Sequence, residues 1–201
     1  RPASIKQARA DYAAGKIDAA ELKAVEDDAI RDLVKKQNAA GLTTITDGEF
    51  RRSYWHLDFM WGLQGIERRT SREGYRFHDE ETTADTAVVT GPISGESHPF
   101  VEHFKFVKSL ETPGHVARQT IPAPIQTFSE VTLDRCDGQQ ESLRAVYPDD
   151  EQLIADIAAA YRTVIADLYA AGCRSIQFDD CTWGIYCDTD FVAKTGMKPV
   201  D

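Results

Sequence analysis

The chain has 201 residues, a formal net charge of −10, and 42% hydrophobic and 28% charged residues. This composition is typical of a folded globular protein, and it excludes an intrinsically disordered chain. The acidic charge argues against nucleic acid and anionic membrane as partners, because both select for clustered Lys and Arg.

The N-terminal part of the chain is predicted to form two helices and a short strand. An apolar stripe at helical spacing runs through residues 4–40, and Gly15 and Asp18 divide it into two helices. Asp18, followed three residues later by Glu21, is a capping-box pattern that predicts the start of the second helix. The apolar run at residues 42–45 then predicts a strand.

An acidic turn follows this strand, with the sequence Thr46-Asp47-Gly48-Glu49-Phe50-Arg51-Arg52. A carboxylate at the C-terminal end of a parallel strand points to where α/β proteins keep their active sites. The turn is therefore either a ligand site or an ordinary polar turn, since Asp and Gly are common turn residues. Taken alone, its residues favour neither interpretation.

The remaining elements are predicted from the same periodicities. Residues 67–85 are polar and aperiodic, so we expect an irregular insert or a β-hairpin there. A loop containing Cys136 and Gly138 is expected before the longest helix. The other predicted elements are helices at 54–66, 100–110 and 149–171, and strands at 86–89, 115–121 and 175–178.

The alternation of helices with short apolar strands indicates parallel βα units. No Gly-x-Gly-x-x-Gly follows the first strand, so a dinucleotide-binding sheet is disfavoured, and the predicted fold is an α/β (β/α)8 TIM barrel. The chain is short for a barrel, begins at Arg1 without a methionine and ends at Asp201 without a closing element. We therefore expect an excerpt of a longer protein: one partial barrel domain over residues 1–201, with about half of the barrel present and an insert at about 67–85.

Four short motifs in collinear order resemble the cobalamin-independent methionine synthase family. Residues 47–52 are similar to its His-Gly-Glu-Phe-x-Arg segment, and residues 176–180 are similar to its Gln-Ile-Asp-Glu-Pro strand end. Between them, residues 88–94 and 99–125 follow the order of the family's strand, helix, turn and proline-containing strand end. The aspartate at position 47 resembles the shorter, single-barrel homologues. The resemblance implies a barrel of the methionine synthase/uroporphyrinogen decarboxylase-like type.

The resemblance also implies a reaction and its partners. In the family, a zinc ion binds the thiol of homocysteine as thiolate, and a methylated tetrahydrofolate donates the methyl group that gives methionine. By residue-for-residue match, Glu49 and Asp179 would hold the amino group of homocysteine, since two carboxylates orient an ammonium as well as bind it.

Three further residues near these acids have predicted roles. Arg52 would either steady Glu49 or meet a substrate carboxylate, whereas Arg51 is expected to face solvent. Trp183 lies just past the second acidic strand end, where a side chain that lines the barrel mouth would contact the ligand.

The family's zinc ligands are a His-x-Cys pair, a glutamate and a later cysteine, and none has a counterpart here. We therefore expect no metal ligand and no catalytic residue in this chain, and zinc ligands downstream of it. Cys181 and Cys187 lie near acids but lack the spacing of a zinc site. The four cysteines are sparse and irregularly spaced, which favours a reducing cytoplasm over a secreted disulfide framework.

Aromatic residues and one histidine in residues 54–66 are candidates for binding a cofactor or for catalysis. Trp55, Phe59 and Trp61 could stack on a pterin ring, but aromatics at helical spacing are more often core residues. His56 and Asp58 suggest a dyad, yet residues two apart on a helix face different directions, so His56 is expected to be exposed or to cap the helix.

Two other functions stay open at this point. One is a zinc-dependent thiol-alkyl transferase or lyase of the same superfamily, in which the thiol attacks an epoxide or another electrophile. The two acids suit an amino-acid ammonium, whereas a sulfonate-bearing thiol would need Arg or Lys. The other is a non-catalytic binding protein on a degenerate barrel. The expected partners are a small thiol and a methyl donor of open identity, with no nucleic acid or membrane, and an oligomer is compatible with the sequence.

Overall fold

The computed structural model describes residues 1–77, 80–82, 84–187, 189 and 192–193, with the backbone alone at 76–77, 80–81, 183 and 185–186. The chain forms two compact units. The first unit comprises Arg1–Trp55, Pro99–Thr120 and Ile165–Gln177. The second comprises His56–His98, Ile121–Val164 and the described residues from Phe178 onward. Within the described residues, no helix is both long enough and apolar enough to cross a membrane.

The chain has a mixed α/β content. Its helices are α1 (Ala3–Ala13), α2 (Ala19–Ala39), α3 (Leu57–Met60), α4 (Phe100–Lys108), α5 (Pro124–Thr132), α6 (Gln139–Val146) and α7 (Asp150–Ala170), with a 3₁₀ turn at Thr182–Cys187. Its strands are β1 (Thr44–Ile45), β2 (Gln64–Thr70), β3 (Arg76–Phe77), β4 (Glu80–Glu81), β5 (Asp85–Ser94), β6 (Val116–Ala117), β7 (Gln119–Pro122) and β8 (Ile176–Asp179).

The first unit begins with the predicted pair of helices. The capping box is confirmed, since the Asp18 carboxylate accepts from the Glu21 N–H and the Glu21 carboxylate accepts from the Asp18 N–H, both at 2.8 Å. Two N–H groups that have no partner within the helix at the start of α2 are thereby satisfied. Helices α1 and α2 pack together through apolar residues that recur at helical spacing. Their buried apolar side chains are Ile5, Ala8, Ile30 and Val34.

Two strand pairs run parallel, in agreement with the predicted βα units. Strand β1 pairs with β6, with Thr44 opposite Val116. Strand β7 pairs with β8. Along this pair the Gln119 N–H donates to the Ser175 carbonyl at 3.1 Å and the Ala123 N–H donates to the Asp179 carbonyl at 2.8 Å. Both partners advance in the same direction, so β7 and β8 are parallel.

The second unit is built on a long antiparallel hairpin of β2 and β5. Ile66 lies opposite Val89, and a bulge interrupts the register between Gln64 and Ile66. Gly65 in this bulge has a φ of 78°, and a Cβ there would lie 2.3 Å from the Pro92 carbonyl oxygen. Only glycine fits both the conformation and the space. Helices α5 and α6 pack against β5.

Two predictions in this region are wrong. Residues 54–66 are not one helix, because only α3 is helical and β2 already begins at Gln64. The glycine bulge and the pairing with β5 place residues 64–66 in a strand, although the spacing of the aromatic residues before them is helical. The strand predicted at 86–89 extends over Asp85–Ser94 and belongs to an antiparallel hairpin, not to a parallel sheet. Phe59 is fully buried, as predicted for a core residue.

The loop predicted before the long helix contains two short helices, α5 and α6. Pro124 occupies the first turn of α5, where a missing N–H leaves no hydrogen bond unmade. Helix α6 starts after Gly138, whose φ is 77°.

A buried chain of hydrogen bonds links the hairpin to α5 in the second unit. The Tyr75 hydroxyl donates to the Glu130 carboxylate at 2.6 Å, so the His56 Nε2–H, at 3.0 Å, donates to that hydroxyl. The other Glu130 oxygen accepts from the Thr86 hydroxyl at 2.6 Å. The Arg135 guanidinium lies 4.1 Å from the centroid of the Tyr75 ring. His56 is therefore buried, and the expectation that it is exposed is wrong. It does occupy the N-cap position of α3, the other role expected of it, although its side chain makes no capping hydrogen bond.

This burial predicts a pH dependence of stability. Burial, reinforced by the nearby Arg135 charge, lowers the pKa of His56 from 6.5 to about 4. The unfolded chain then binds the proton more tightly, so the stabilisation is complete above pH 6.5 and is lost as the pH falls toward 4. In the complete protein, the free energy of unfolding should fall by up to about 3 kcal/mol from this residue over that range. Urea titrations at a series of pH values measure it.

The matched variants are His56→Gln and His115→Gln, the latter replacing a histidine of the first unit whose ring bonds Thr112. His56→Gln should flatten the pH slope between 6.5 and 4, whereas His115→Gln should keep it. An unchanged slope in His56→Gln would contradict the buried, neutral histidine.

Candidate functional site

The acidic turn after β1 has a strained backbone. Two successive residues, Gly48 and Glu49, have positive φ values of 61° and 58°. Residues other than glycine rarely adopt this conformation, which costs about 1–3 kcal/mol and clusters at functional sites. Glycine is favoured at position 48 by its φ of 61°, and a Cβ there would also lie 2.5 Å from the end of the Leu33 side chain.

Polar side chains hold the turn in this conformation. The buried Asp47 carboxylate accepts a hydrogen bond from the Glu49 N–H at 2.8 Å. The Thr46 hydroxyl accepts from the Gly48 N–H at 3.2 Å. Gln37, on α2, accepts from the Thr46 N–H at 2.9 Å. These contacts satisfy successive N–H groups that the turn leaves outside any helix or sheet.

The Glu49 carboxylate is held through one of its two oxygens. Its Oε1 accepts from the Thr120 hydroxyl at 2.9 Å and lies 3.1 Å from the Arg52 guanidinium. Its Oε2 makes no hydrogen bond or ion pair with any residue of the described ranges. The side chain is 29% exposed. One oxygen is thus fixed in place while the other is available to a cationic ligand group.

Arg52 is almost completely buried, with a side-chain exposure of 1%. Its Nη2 donates to the Thr120 carbonyl at 2.7 Å and to the Thr120 hydroxyl at 2.8 Å, and its Nη1 donates to the Trp55 carbonyl at 3.1 Å. Its guanidinium lies 4.4 Å from the centroid of the Phe100 ring. Of the two roles predicted for Arg52, these contacts support the steadying of Glu49.

Arg51 does not face solvent, so that expectation is wrong. Its side chain is 6% exposed and forms ion pairs with Glu26, at 3.3 Å, and with Asp27, both on α2. Its guanidinium also lies 5.1 Å from the centroid of the Phe106 ring. Arg51 thus ties the acidic turn to the second helix.

The other predicted ligand-binding residues belong to the second unit. Asp179 ends β8, is half-buried, and its carbonyl accepts from the Ala123 N–H at 2.8 Å. The neighbouring Asp180 carboxylate accepts from the Thr182 N–H at 2.9 Å and so starts the 3₁₀ turn. Trp183 lies in that turn, and its side chain is outside what the structure describes.

The described side chains do not fit a zinc ion. In the described part of the chain, no group of three or more His, Cys, Asp or Glu residues is arranged to hold a metal. Cys136 and Cys173 are buried, and burial raises the pKa of the Cys136 thiol, which disfavours the thiolate that zinc binds. Cys181 and Cys187 are exposed and unpaired.

Sequence reasoning missed Thr120 and Phe100 as parts of this site. Thr120 lies in the strand predicted at 115–121, and parallel strands place their C-terminal ends at the same edge of a sheet. That signal was therefore present in the sequence. The contact of Phe100 with Arg52 depends on how α4 packs, and no local pattern indicates it.

Comparisons with known proteins agree on one family. The catalytic-domain profile of the cobalamin-independent synthases matches residues 1–185. Two Bacillus subtilis proteins, named uncharacterized proteins YxjG and YxjH, are 35% and 37% identical over 100% and 92% of this chain. The chain covers 50% and 47% of their lengths, so it spans about half of these relatives. The 5-methyltetrahydropteroyltriglutamate–homocysteine methyltransferase of Thermosynechococcus vestitus is 28% identical over 89% of this chain and 22% of its own length.

Two solved structures resemble the chain. A Listeria monocytogenes protein assigned as a vitamin-B12-independent methionine synthase has a TM-score of 0.75 and 36% identity, over 99% of this chain and 53% of that one. A B12-independent methionine synthase from Shewanella sp. W3-18-1, in complex with selenomethionine, has a TM-score of 0.62 and 26% identity, over 91% and 52%. These likenesses confirm the predicted fold class, an α/β (β/α)8 TIM barrel of which this chain is about half.

The resemblance drawn from four short motifs is thus confirmed by matches that span most or all of the described residues. The acidic turn at Asp47–Arg52 and the strand end at Asp179 both lie inside the matched range of 1–185. The chain belongs to the catalytic-domain family of the cobalamin-independent synthases.

Proposed function

We propose that the protein containing this chain is a zinc-dependent methyltransferase that moves a methyl group from a methylated folate-type donor to the thiol of homocysteine, giving methionine. Family membership supports methyl transfer of the methionine synthase kind. In this proposal the chain binds and orients the amino-acid end of homocysteine. The observation that carries the proposal is Glu49, whose backbone has a positive φ and whose carboxylate is held by the described residues through Oε1.

Glu49 would receive the substrate ammonium on its Oε2 atom. A charge-assisted hydrogen bond of this kind contributes about 1.5–3 kcal/mol, and it is shorter and more directional than a neutral one. Arg52 and Thr120 would keep the carboxylate from rotating when the ligand arrives, because both hold Oε1. Asp179 would supply the second carboxylate, so that the ammonium is fixed in orientation as well as in place.

An amino-acid ligand is consistent with one relative. The Shewanella structure holds selenomethionine, which carries the same α-amino group as homocysteine and methionine. An acidic pair suits that group, whereas a thiol bearing a sulfonate would require cationic side chains. Trp183 is proposed to contact the ligand from the turn that follows Asp179.

Zinc and the methyl donor are expected to be bound by residues of the protein that lie outside this chain. The described residues form no zinc site, so the zinc ligands are proposed to lie in the remainder of the protein. The proposed location is the cytoplasm.

Methyl transfer is tested on the complete protein. Homocysteine and 5-methyltetrahydrofolate, as monoglutamate and as triglutamate, should give methionine, and a chelator should abolish the reaction until zinc is restored. Mass spectrometry of the products measures this. No methionine from either donor, together with no zinc by elemental analysis, would refute the proposal. If the protein catalyses a reaction of homocysteine with an epoxide, but with neither methylated folate, the thiol-alkyl transferase is supported instead.

The amino-group site is tested with charge-removing variants. Glu49→Gln keeps the acceptor for Thr120 but loses the charge, and should weaken homocysteine binding by about 2 kcal/mol, or roughly 30-fold in Kd. Asp179→Asn should act in the same direction. Isothermal titration calorimetry on the complete protein measures both.

Two conservative variants serve as controls for this experiment. Glu102→Gln removes an exposed acid of α4 that pairs with Lys105, and should leave the affinity for homocysteine unchanged. Asp180→Asn removes the acid next to Asp179 and tests whether the assignment is off by one residue. If Glu49→Gln and Asp179→Asn bind homocysteine as tightly as the wild type, these two residues do not hold its amino group.

A further inference from the structure

The N-terminal helix α1 contributes an arginine to the acidic turn. The Arg9 guanidinium donates from Nη1 to the Arg52 carbonyl at 2.8 Å and from Nη2 to the Phe50 carbonyl at 2.9 Å. The side chain is 23% exposed, so most of its length is packed against protein. A planar guanidinium bridges two acceptors in a geometry that the single ammonium of lysine cannot reproduce.

The two carbonyls that Arg9 holds follow the strained part of the turn. The Phe50 N–H donates to the Asp47 carbonyl at 3.2 Å and the Arg52 N–H donates to the Glu49 carbonyl at 3.1 Å. Arg9 therefore holds the carbonyls of two residues whose N–H groups bond back into the turn. The backbone that leaves Glu49 is thereby fixed on its C-terminal side, at the carbonyls of the first and third residues after it.

Arg9 is itself fixed by an acid of α2. Glu26 is buried and lies 3.4 Å from Arg9 and 3.3 Å from Arg51, one carboxylate oxygen to each. The two arginines thus share one buried acid. Arg51 belongs to the acidic turn itself, so Glu26 links the turn and α1 through both guanidiniums.

We propose that Arg9 is a positioning residue for Glu49: by holding the Phe50 and Arg52 carbonyls, it keeps the Glu49 carboxylate in the direction that receives the substrate ammonium. This inference rests on the proposed function, because it takes Glu49 to bind the amino group of homocysteine. It assigns α1 and α2 a part in substrate binding, through the backbone of the turn and not through contact with the ligand.

The test compares two ligands that differ only in the amino group. Homocysteine carries it, and 4-mercaptobutanoate is the same thiol acid without it. Calorimetry on the complete, zinc-supplemented protein measures the Kd of each ligand for the wild type, Glu49→Gln, Arg9→Ala and Arg9→Lys. Arg31→Ala is the control, since Arg31 pairs with the exposed Asp28 and contacts the same Phe106 ring as Arg51.

Arg9→Ala should weaken homocysteine roughly tenfold and leave 4-mercaptobutanoate unchanged, because only the amino group uses Glu49. Arg9→Lys should show the same selective loss to a smaller degree, and it keeps the charge and the packing if Arg9→Ala does not fold. In the Arg9→Ala/Glu49→Gln double variant, the two losses should not add. Arg31→Ala should bind both ligands as the wild type does.

The outcomes separate this inference from the function on which it rests. If Glu49→Gln loses homocysteine selectively while the Arg9 variants do not, the positioning role is overturned and the ammonium site stands. Equal losses for both ligands in the Arg9 variants would also overturn it, since they would show a merely structural role. If Glu49→Gln binds both ligands like the wild type, both the ammonium site and the role of Arg9 are overturned.

Discussion

The buried guanidinium of Arg52 is the interaction on which the candidate site depends. With a side-chain exposure of 1%, its charge has to be compensated inside the protein. Glu49 supplies the opposite charge at 3.1 Å, while the Trp55 carbonyl accepts from Nη1 and the Thr120 carbonyl accepts from Nη2. The ion pair with Glu49 therefore compensates the buried charge of Arg52. The same contact sets the direction of the Glu49 carboxylate. Folding of the unit and orientation of the acid are coupled through one pair of residues.

The strain in the acidic turn explains why so many side chains converge on its backbone. Glu49 adopts a φ of 58°, and the conformation persists because neighbouring groups over-determine it. Asp47 acts from within the turn, Gln37 acts from α2, and Arg9 acts from α1. All three bond backbone groups, so they constrain the turn without contacting the Glu49 Oε2 atom. The two N-terminal helices are in this view part of the site.

Local signals predicted much of this structure, and non-local contacts account for what was missed. The capping box at Asp18 was visible because both of its partners lie within one helical turn. The acidic turn stood out because carboxylates at the end of a strand are a functional pattern. The helix predicted at residues 54–66 is wrong at its C-terminal end, where the glycine bulge and the pairing with β5 place a strand from Gln64 onward. Arg51 was misjudged because its partner Glu26 lies 25 residues earlier in the chain.

The central claim is that the Glu49 carboxylate binds the amino group of the amino-acid ligand. The most direct measurement is a crystal structure of the complete protein with homocysteine or methionine bound. We expect the ligand nitrogen within about 3 Å of the Glu49 Oε2 atom, with Arg52 and Thr120 still on Oε1. An amino group bound elsewhere, with no contact between the ligand and Glu49, would contradict it.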